Sequence, residues 1–379
     1  MRKVHAFLIV FILCFSLAGH AEEAVSVQAT EASKSVVITF TGDCTLGCDK
    51  KLVDSPLSFW AYVDEYGYEY PFANLKQIFE QDDLTIINLE GVFSDSAADM
   101  ANKTYCFRAP SEYVNILTSS SVEAVSFANN HTQDFGDHGT KDTIAALENA
   151  GVGWFGVNIP INEYNTPWDQ VCGTYIYEKD GVKIGFVAAY ISNWWANKNV
   201  HRDQFTQLRE AGCDLIIACL HGGVEYDPLH DNNQEDFAHA FQSYGADIVI
   251  GNHPHVLQGM EVRNTGTVVY SLGNCCFGGN QVIKKTDRSS AEYTALMQFK
   301  FDFAEDNTYL GYTLTIYPAF SATATEAGYS NYQPRLANET EAPAILKLIQ
   351  RDTKSIKLNP YIEGVGAVQE FVPAPAKEE

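Results

Sequence analysis

Basic residues are scarce in this chain. Its 379 residues include 25 Lys and Arg against 48 Asp and Glu, which gives a formal net charge of −23. A field of that sign repels nucleic-acid phosphates and anionic membrane surfaces, so neither is an expected partner. An anionic substrate would have to be held by local positive charge or by a metal ion.

Other absences narrow the function further. The chain has no CxxC…CxxC zinc framework, and it has no Gly-x-Ser-x-Gly motif to support a Ser-His-Asp hydrolase. We find no internal repeat and no domain linker, so one large α/β domain is expected. Eight of the nine cysteines follow the first 21 residues, and an even number in an exported protein permits disulfides, but the sequence does not fix their pairing.

The N-terminus has the features of a secretory signal peptide. Met1-Arg2-Lys3 precedes an apolar run over residues 6–17, and small residues follow up to Ala21. We expect cleavage after residue 21 and a periplasmic, cell-surface or extracellular location; the alternative is an uncleaved N-terminal membrane anchor. The predicted organisation is then a linker over 22–34, a single domain over 35–360 and a C-terminal tail over 361–379.

One short stretch, Gly251-Asn-His-Pro-His255, is typical of a metal site. It follows an apolar segment over 246–250 that predicts a buried strand. Pro254 restricts the backbone between the two histidines and holds their rings in a defined relation. Neutral imidazole is the commonest metal ligand at physiological pH, although an ordinary turn stays an alternative for so short a motif.

Other predicted buried strands also end in ligand-type residues. Because parallel strands of a layered α/β fold end at one edge, these side chains are expected to converge there. Carboxylate, amide and imidazole groups together favour one or two divalent transition ions, Mn, Fe or Zn. The predicted ligands are Asp43, Glu90, Asn130, His221, His253 and His255.

A proton-transfer pair is predicted beside these ligands. His131 directly follows Asn130, and Asp134 is near enough in sequence to orient its ring, as a general acid requires. Elsewhere, the apolar spacing of Phe72, Leu75 and Ile78 predicts a helix over 71–82.

The order and content of these segments resemble the CapA family, also called PgsA, of bacterial poly-γ-glutamate capsule synthesis proteins. That family belongs to the calcineurin-like metallophosphoesterase superfamily. The resemblance spans about residues 36–280. It is carried by Gly42-Asp43, Asn88-Leu-Glu-Gly91, Ala128-Asn-Asn-His-Thr132, His221-Gly-Gly-Val-Glu-Tyr226, Gly251–His255 and Tyr270-Ser-Leu-Gly-Asn274.

The resemblance implies a fold, a ligand arrangement and an activity. It implies a four-layer α-β-β-α sandwich in which Asp43 and His255 hold one ion. Asn130, His221 and His253 would hold the other ion, Glu90 would bridge the two, and His131 would protonate the leaving group. The remaining candidates, predicted to contact substrate, are Asn88, Arg108, Glu225, Tyr226 and Asn274.

The chain departs from the superfamily pattern at the first motif. Where phosphatases of the superfamily carry Asp-x-His, this chain has Asp43-Cys44-Thr45, so one expected ligand is missing. Cys44 or Cys48 are candidates to replace it, because thiolates also bind transition metals.

Two functions follow from the sequence. The first is a metal-dependent hydrolase of phosphoester or amide bonds, with an anionic polymer or a small phosphoester or γ-glutamyl compound as substrate. The alternative is a non-catalytic accessory protein that binds polyglutamate or assists its export. Either could work within a membrane-bound capsule synthesis complex. The accessory role calls for a basic face formed by Arg108, Arg202, Lys284, Lys285 and Arg288.

Overall fold

The structure, a computed structural model, describes residues 32–157, 173–263, 266–277, 291–323 and 330–374. The predicted signal peptide and most of the predicted linker lie outside these ranges. So do Lys284, Lys285, Arg288 and residues 375–379 of the predicted tail. Over the described ranges no helix has both the length and the apolar character needed to span a membrane.

Strands and helices alternate along most of the chain. In chain order, the strands in the described ranges are β1 (Lys34–Cys44), β2 (Cys48–Asp49), β3 (Leu84–Leu89), β4 (Val92–Phe93), β5 (Phe107–Ala109), β6 (Ala124–Phe127), β7 (Gly153–Gly156), β8 (Tyr175–Lys179), β9 (Val182–Tyr190), β10 (Leu215–His221), β11 (Ile248–Asn252), β12 (Met260–Arg263), β13 (Gly266–Val269), β14 (Asn274–Cys276), β15 (Tyr293–Phe303), β16 (Tyr309–Phe320), β17 (Arg335–Leu336), β18 (Ala367–Val368) and β19 (Val372–Pro373). The helices there are α1 (Phe59–Tyr66), α2 (Lys76–Phe79), α3 (Asn115–Thr118), α4 (Gly136–Ala150), α5 (Ile191–Trp194), α6 (Lys198–Glu210), α7 (Asn232–Tyr244) and α8 (Ala342–Asp352), with a 3₁₀ turn at Ser111–Val114.

Two large sheets form the centre of the molecule. The first has the strand order β17-β16-β15-β1-β3-β6-β7, with β14 beside β1 and with β18 and β19 beside β16. The second has the order β12-β13-β11-β10-β9-β8, and a small third sheet has the order β2-β5-β4. Strands β1, β3, β6 and β7 are parallel, as are β9, β10, β11 and β13. Their carboxyl ends therefore meet at one edge of the two sheets.

Alternation of apolar residues explains how the layers stack. In β3, Leu84 and Ile86 enter a core shared by both large sheets, whereas Ile87 and Leu89 face a second core beneath α1–α4. In β10, Ile217 enters the shared core, and its neighbours on the chain face a third core beneath α6 and α7. A period of two sends alternate side chains to opposite faces of a sheet. The result confirms the predicted four-layer α-β-β-α sandwich.

The C-terminal region adds strands to the first sheet. The described part of the predicted tail contains β18 and β19, which pair with β16 through Ala367, Val368, Val372 and Pro373. Strand β16 has 12 residues, long enough for β17, β18 and β19 to pair in succession along the same edge. Residues 361–374 thus complete the sheet.

The helix predicted over 71–82 is wrong for most of its length. Only α2 is helical, and the chain before it runs through turns in which Ala73 N donates to Tyr70 O at 3.4 Å and Leu75 N donates to Phe72 O at 2.8 Å. These are bonds across three residues, the repeat of a 3₁₀ turn. Apolar residues spaced by three fit such turns as well as they fit an α-helix, so the spacing alone could not distinguish the two structures.

Candidate metal centre

The predicted ligands lie at the shared carboxyl edge of the two sheets. Asp43 is near the end of β1, Glu90 directly follows β3, and His221 ends β10. His253 and His255 follow β11. All five side chains are buried, and both carboxylates are fully inaccessible. The fold therefore brings residues more than 200 positions apart in the sequence into one buried cluster.

Two glycines allow the ligand-bearing strands to approach their neighbours. A Cβ at Gly42 would lie 2.0 Å from the carbonyl oxygen of Gly273, and one at Gly251 would lie 2.1 Å from that of Tyr270. Both distances are far below van der Waals contact, so only glycine fits at these positions. Asp43 directly follows Gly42, and its backbone N donates to Gly273 O at 2.8 Å, so the end of β1 lies against the 273–274 segment.

The histidine pair has an unusual backbone. His253 has φ of 105° and His255 has φ of 59°, both in the region that favours glycine. Such conformations cost on the order of 1–3 kcal/mol each and persist only where the surroundings enforce them. Tyr226 N donates to Pro254 O at 2.8 Å, which ties the loop after β10 to this turn. The chain thus maintains strain here to direct both rings inward.

The ligand atoms form two overlapping groups that share Glu90. One group is Asp43, Glu90 and His255; the other is Glu90, His221 and His253, and within each group the ligand atoms lie within 4.8 Å of one another. His255 Nδ1 is 3.2 Å from Asp43 Oδ2, and His221 Nε2 is 3.6 Å from Glu90 Oε1. The arrangement agrees with the bridging place that the resemblance assigns to Glu90.

Asn130 and two further amides complete the cluster. Asn130 Oδ1 is 2.9 Å from His221 Nε2, and Asn88 Nδ2 donates to Asp43 Oδ1 at 2.8 Å. Asn274 Oδ1 lies 2.9 Å from His255 Nδ1. Since an amide oxygen and a carboxylate can only accept, His255 Nδ1 carries the proton, and Nε2 is left to face Glu90 at 3.9 Å. Asn88 and Asn274, predicted to contact substrate, are hydrogen-bonded to candidate ligands.

The electrostatics of the cluster fit a divalent cation. Within the described part of the chain, neither carboxylate oxygen of the buried Glu90 has a hydrogen-bond partner. Burial, reinforced by the nearby charge of Asp43, raises the Glu90 pKa well above its usual range. A buried carboxylate without a donor is costly, and a metal ion is the partner that its imidazole and carboxylate neighbours can hold.

The imidazoles differ in charge. Burial, with His253 as a like-charged neighbour, lowers the pKa of His221 well below its usual range. Burial, with the charge of His255, lowers the pKa of His253 to about 4. Burial alone would lower the pKa of His255 too, but Glu90 and Asp43 outweigh it and raise that pKa to about 9. Two rings are therefore neutral near pH 7 and available as ligands, while the third holds a proton that an ion would displace.

The predicted proton-transfer pair lies beside this cluster. His131 Nδ1 is 2.7 Å from Asp134 Oδ2 and donates to it, because a carboxylate only accepts. The opposite nitrogen, His131 Nε2, lies 3.9 Å from Glu90 Oε1 and so faces the ligands. Burial lowers the pKa of His131, and the hydrogen bond to Asp134 opposes that shift in part.

The loop after β10 brings Glu225 and Tyr226 to the rim. Glu225 is exposed, and its carboxylate forms a third possible donor group with His253 and His255. The Tyr226 ring lies 5.9 Å from that of His255 and is 46% exposed. These two residues have the accessibility that contact with a substrate requires.

Arg108 has structural partners elsewhere. Its Nη1 donates to Ser94 O at 2.6 Å, and its guanidinium lies over the rings of Trp60 and Phe135. These contacts lead into the outer core beneath α1–α4, and they do not join Arg108 to the ligands. Arg202, on α6, lies over the ring of Tyr244.

The candidate cysteines do not replace the missing ligand. Cys44 and Cys48 are buried in the outer core beneath α1–α4 with Cys275 and Cys276. Cys44 Sγ contacts Gly42 O at 3.5 Å and Thr41 Oγ1 at 3.8 Å. Alternation along β1 explains the correction, because Asp43 and Cys44 are adjacent and their side chains leave opposite faces. The seven cysteines in the described ranges are all free and buried.

Two residues near the centre were not predicted. Asn129 Nδ2 donates to Leu89 O at 2.8 Å and to Asn88 Oδ1 at 3.2 Å, which fixes the turn after β6 against the end of β3. Lys103 reaches the same turn from the loop between β4 and β5, and it pairs with Asp134. Asn129 could have been predicted as a site residue because it is adjacent to Asn130. A single lysine in a loop has no sequence pattern that would predict its role.

An open cleft lies beside the loop that follows β10. It has a volume of about 880 Å³ and is lined in part by Trp194, Trp195, Gly223, Asp231 and Asp236. Trp195 is 67% exposed. Two carboxylates in the lining make this cleft unfavourable for a polyanion.

Comparison with known proteins identifies the family. The family model described as bacterial capsule synthesis protein PGA_cap matches residues 37–279. This chain belongs to the PGA_cap family. The matched range holds every ligand of the candidate centre and both members of the His131–Asp134 pair.

Named relatives share this family membership at moderate identity. The capsule biosynthesis protein CapA of Bacillus anthracis is 28% identical over 71% of this chain and 66% of its own length. The PGA biosynthesis protein CapA of Bacillus subtilis (strain 168) is 26% identical over 72% of each chain. The matched region therefore spans just under two thirds of the B. anthracis protein. Among solved structures, a 5′-nucleotidase precursor from Thermus thermophilus is similar with a TM-score of 0.43 and 12% identity, over 84% of this chain and 59% of that one.

Proposed function

We propose that this PGA_cap protein is an exported, metal-dependent hydrolase of phosphoester or amide bonds that acts in poly-γ-glutamate capsule synthesis. The observation that carries the proposal is Glu90, a buried carboxylate with no hydrogen-bond partner in the described ranges that is shared by both donor groups. A structural carboxylate would be paired or solvated. Two relatives are named as capsule or PGA biosynthesis proteins, which supports the capsule context.

The residues present fit one or two ions of Mn, Fe or Zn. Asp43 and His255 would hold one, Asn130, His221 and His253 the other, with Glu90 between them. When bound, such an ion supplies Lewis-acid chemistry toward a phosphoryl or carbonyl oxygen.

The chain's own residues supply proton transfer and orientation. Asp134 fixes the tautomer of His131 with the proton on Nδ1, so Nε2 is the atom that exchanges a proton with the leaving group. The ring of Phe107 lies 4.6 Å from that of His131, and Phe277 lies 4.8 Å from His255. These rings keep bulk water away from the two histidines, which strengthens their electrostatic interactions.

The substrate we propose is a γ-glutamyl or phosphoester compound presented at the rim by Glu225 and Tyr226. An accessory protein that grips polyglutamate needs a basic face, and of its five predicted members the described ranges hold Arg108, directed toward Ser94 and Trp60, and Arg202, on α6. We favour catalysis over passive polymer binding because two donor groups converge on the buried Glu90. The predicted signal peptide is the basis for proposing export, and the proposed partners are the other proteins of a membrane-bound capsule synthesis complex.

Metal content and activity test the proposal together. Purified protein from residue 22 onward should contain near-stoichiometric transition metal and should cleave bis(p-nitrophenyl) phosphate or a γ-glutamyl anilide. His253→Ala should lose both. His138→Ala is the matched control, because His138 lies away from the cluster and pairs with Asp142. Metal retained by His253→Ala, or none in the parent protein, would contradict the site; metal without cleavage would favour the accessory function.

A further inference from the structure

The segment 101–107, between β4 and β5, is bound to the turn that carries His131. Ala101 N donates to Asp134 O at 2.8 Å, and Phe107 N donates to Asp134 Oδ2. Lys103 Nζ forms an ion pair with Asp134 Oδ1 and donates to Asn130 O at 2.6 Å. Asp134 therefore receives contacts from three residues of this segment as well as from His131.

Lys103 is the charged member of this set. Asp134 is fully buried, and a buried carboxylate needs a compensating charge to remain ionised at low cost. Lys103 provides that charge while its side chain stays 33% exposed, so the ammonium is only partly desolvated. Its contact with the Asn130 carbonyl also links the proton donor to a metal ligand one residue earlier.

We infer that Lys103 is a positioning residue for the proposed reaction: it fixes Asp134 and the Asn130 backbone, and through them the ring of His131 and the amide of Asn130. Two of its three N–H groups are committed to these acceptors, and its Nζ also lies 3.3 Å from His131 Nδ1. An ammonium held in this way is poorly placed to follow a substrate anion, so a role as a substrate clamp is disfavoured. The inference rests on the proposed function for its catalytic part alone.

Kinetics separate positioning from substrate binding. With bis(p-nitrophenyl) phosphate and saturating Mn²⁺, Lys103→Met should lower kcat about 100-fold, since small misplacements of a catalytic group cost about that much. KM should stay within about twofold, because uniform binding is not lost. Lys103→Arg should recover part of kcat, and Lys141→Met, on the exposed face of α4, should match the parent. A raised KM with kcat unchanged would overturn the inference in favour of a clamp.

Two readouts do not depend on catalysis. In the metal-free protein, nitrogen-15 NMR should show the Nδ1–H tautomer of His131, and that signal should broaden or disappear in Lys103→Met but persist in Lys141→Met. Mn²⁺ alone should bind Lys103→Met about tenfold more weakly, the usual effect of losing a residue that orients a ligand. If the parent binds Mn²⁺ but cleaves nothing, the hydrolase proposal fails while these readouts still decide the role of Lys103. An unchanged NMR signal and unchanged Mn²⁺ affinity would refute it.

Discussion

This protein has two clusters of histidine and carboxylate side chains that differ in how completely their polar atoms are hydrogen-bonded. In the candidate metal centre, His221 Nε2 and His253 Nδ1 face each other at 3.0 Å, and the carboxylate of Glu90 has no hydrogen-bond donor among the described residues. At the C-terminal helix, His230 is fully paired: Nδ1 is 2.7 Å from Asp352 Oδ2 and Nε2 is 3.0 Å from Glu235 Oε1. In the first cluster the Glu90 carboxylate has no hydrogen bond among the described residues and faces the protonated ring of His255 only at 3.9 Å, whereas both ring nitrogens of His230 are hydrogen-bonded.

This difference distinguishes a candidate binding site from a cluster, formed by His230, Glu235 and Asp352, that stabilises the fold. Asp352 also accepts from Gly259 N at 2.9 Å, so the His230 cluster joins the loop after β10 to α8 and to the segment before β12. The ring of His230 stacks on Tyr270 at 3.7 Å. A satisfied network of this kind stabilises the fold, whereas the unsatisfied one is costly until an ion binds.

The largest expected effect is on metal binding by Glu90→Gln. Glutamine keeps the shape of the side chain but removes the charge shared by both donor groups, so Mn²⁺ affinity should fall by about 100-fold or more. At 100 times the parent's Kd, Mn²⁺ should stabilise the parent by about 2.7 kcal/mol and the variant by about 0.4 kcal/mol or less. Differential scanning calorimetry with and without Mn²⁺ measures both. The metal-free variant should be at least as stable as the parent, because a buried carboxylate that lacks a hydrogen bond has been replaced by a neutral amide.

Asp352→Ala should show the reverse pattern. It leaves His230 and Gly259 without their acceptor and should lower the free energy of unfolding by about 3 kcal/mol. Its Mn²⁺ affinity should match that of the parent, since none of its contacts involves a ligand of the centre. Urea unfolding and calorimetric titration test this pair of outcomes. An Asp352→Ala protein that folds normally but loses metal would remove the distinction between the two clusters.

Metal binding should release protons near pH 7. The pKa of His255 is raised to about 9, so its ring holds a proton near pH 7 in the metal-free protein, and burial raises the pKa of Glu90 in the same direction. An ion needs the neutral imidazole and the ionised carboxylate, so apparent affinity should rise with pH and level off above about pH 9. Titration calorimetry in buffers of different ionisation enthalpy measures the released protons. Binding without proton release would contradict the charge assignment.

The smallest expected effect is on how the stability contributed by the His230 cluster depends on pH. Burial acts to lower the pKa of His230, but Asp352 and Glu235 outweigh it and raise that pKa above 6.5. A raised histidine pKa contributes stability that is complete below the unfolded-state pKa and is lost as pH rises through the folded-state pKa. His230→Gln should therefore cost more stability at pH 6 than at pH 9. If urea unfolding shows that His230→Gln loses the same free energy of unfolding at both pH values, His230 is not protonated in its cluster and the prediction is contradicted.

Most residues of the candidate centre could be predicted because the pattern that indicates them lies in short, continuous stretches of the sequence. Each ligand directly follows an apolar run that forms a buried strand, and the parallel order of those strands brings Asp43, Glu90 and His221 to one edge. The strained His253–His255 turn was visible as two histidines around a proline. The four layers followed from the family resemblance, and the alternation in β3 and β10 explains them.

The remaining features depend on contacts that the sequence does not encode locally. Lys103 acts across the turn of His131 from a loop without periodicity, and nothing around it distinguishes it from a solvated lysine. Arg108 was predicted to contact substrate, yet its partners are the ring of Trp60 and the carbonyl of Ser94. The strands β18 and β19 are two residues each and form because β16 offers an edge, which a short segment cannot show by itself.

The most direct measurement is anomalous diffraction from crystals of the mature protein grown with Zn²⁺. A centre organised around Glu90 predicts an anomalous peak about 2.1 Å from a Glu90 carboxylate oxygen and from at least one nitrogen of His221, His253 or His255. A protein that binds Zn²⁺ only elsewhere, with both Glu90 oxygens still lacking a partner, would contradict the account.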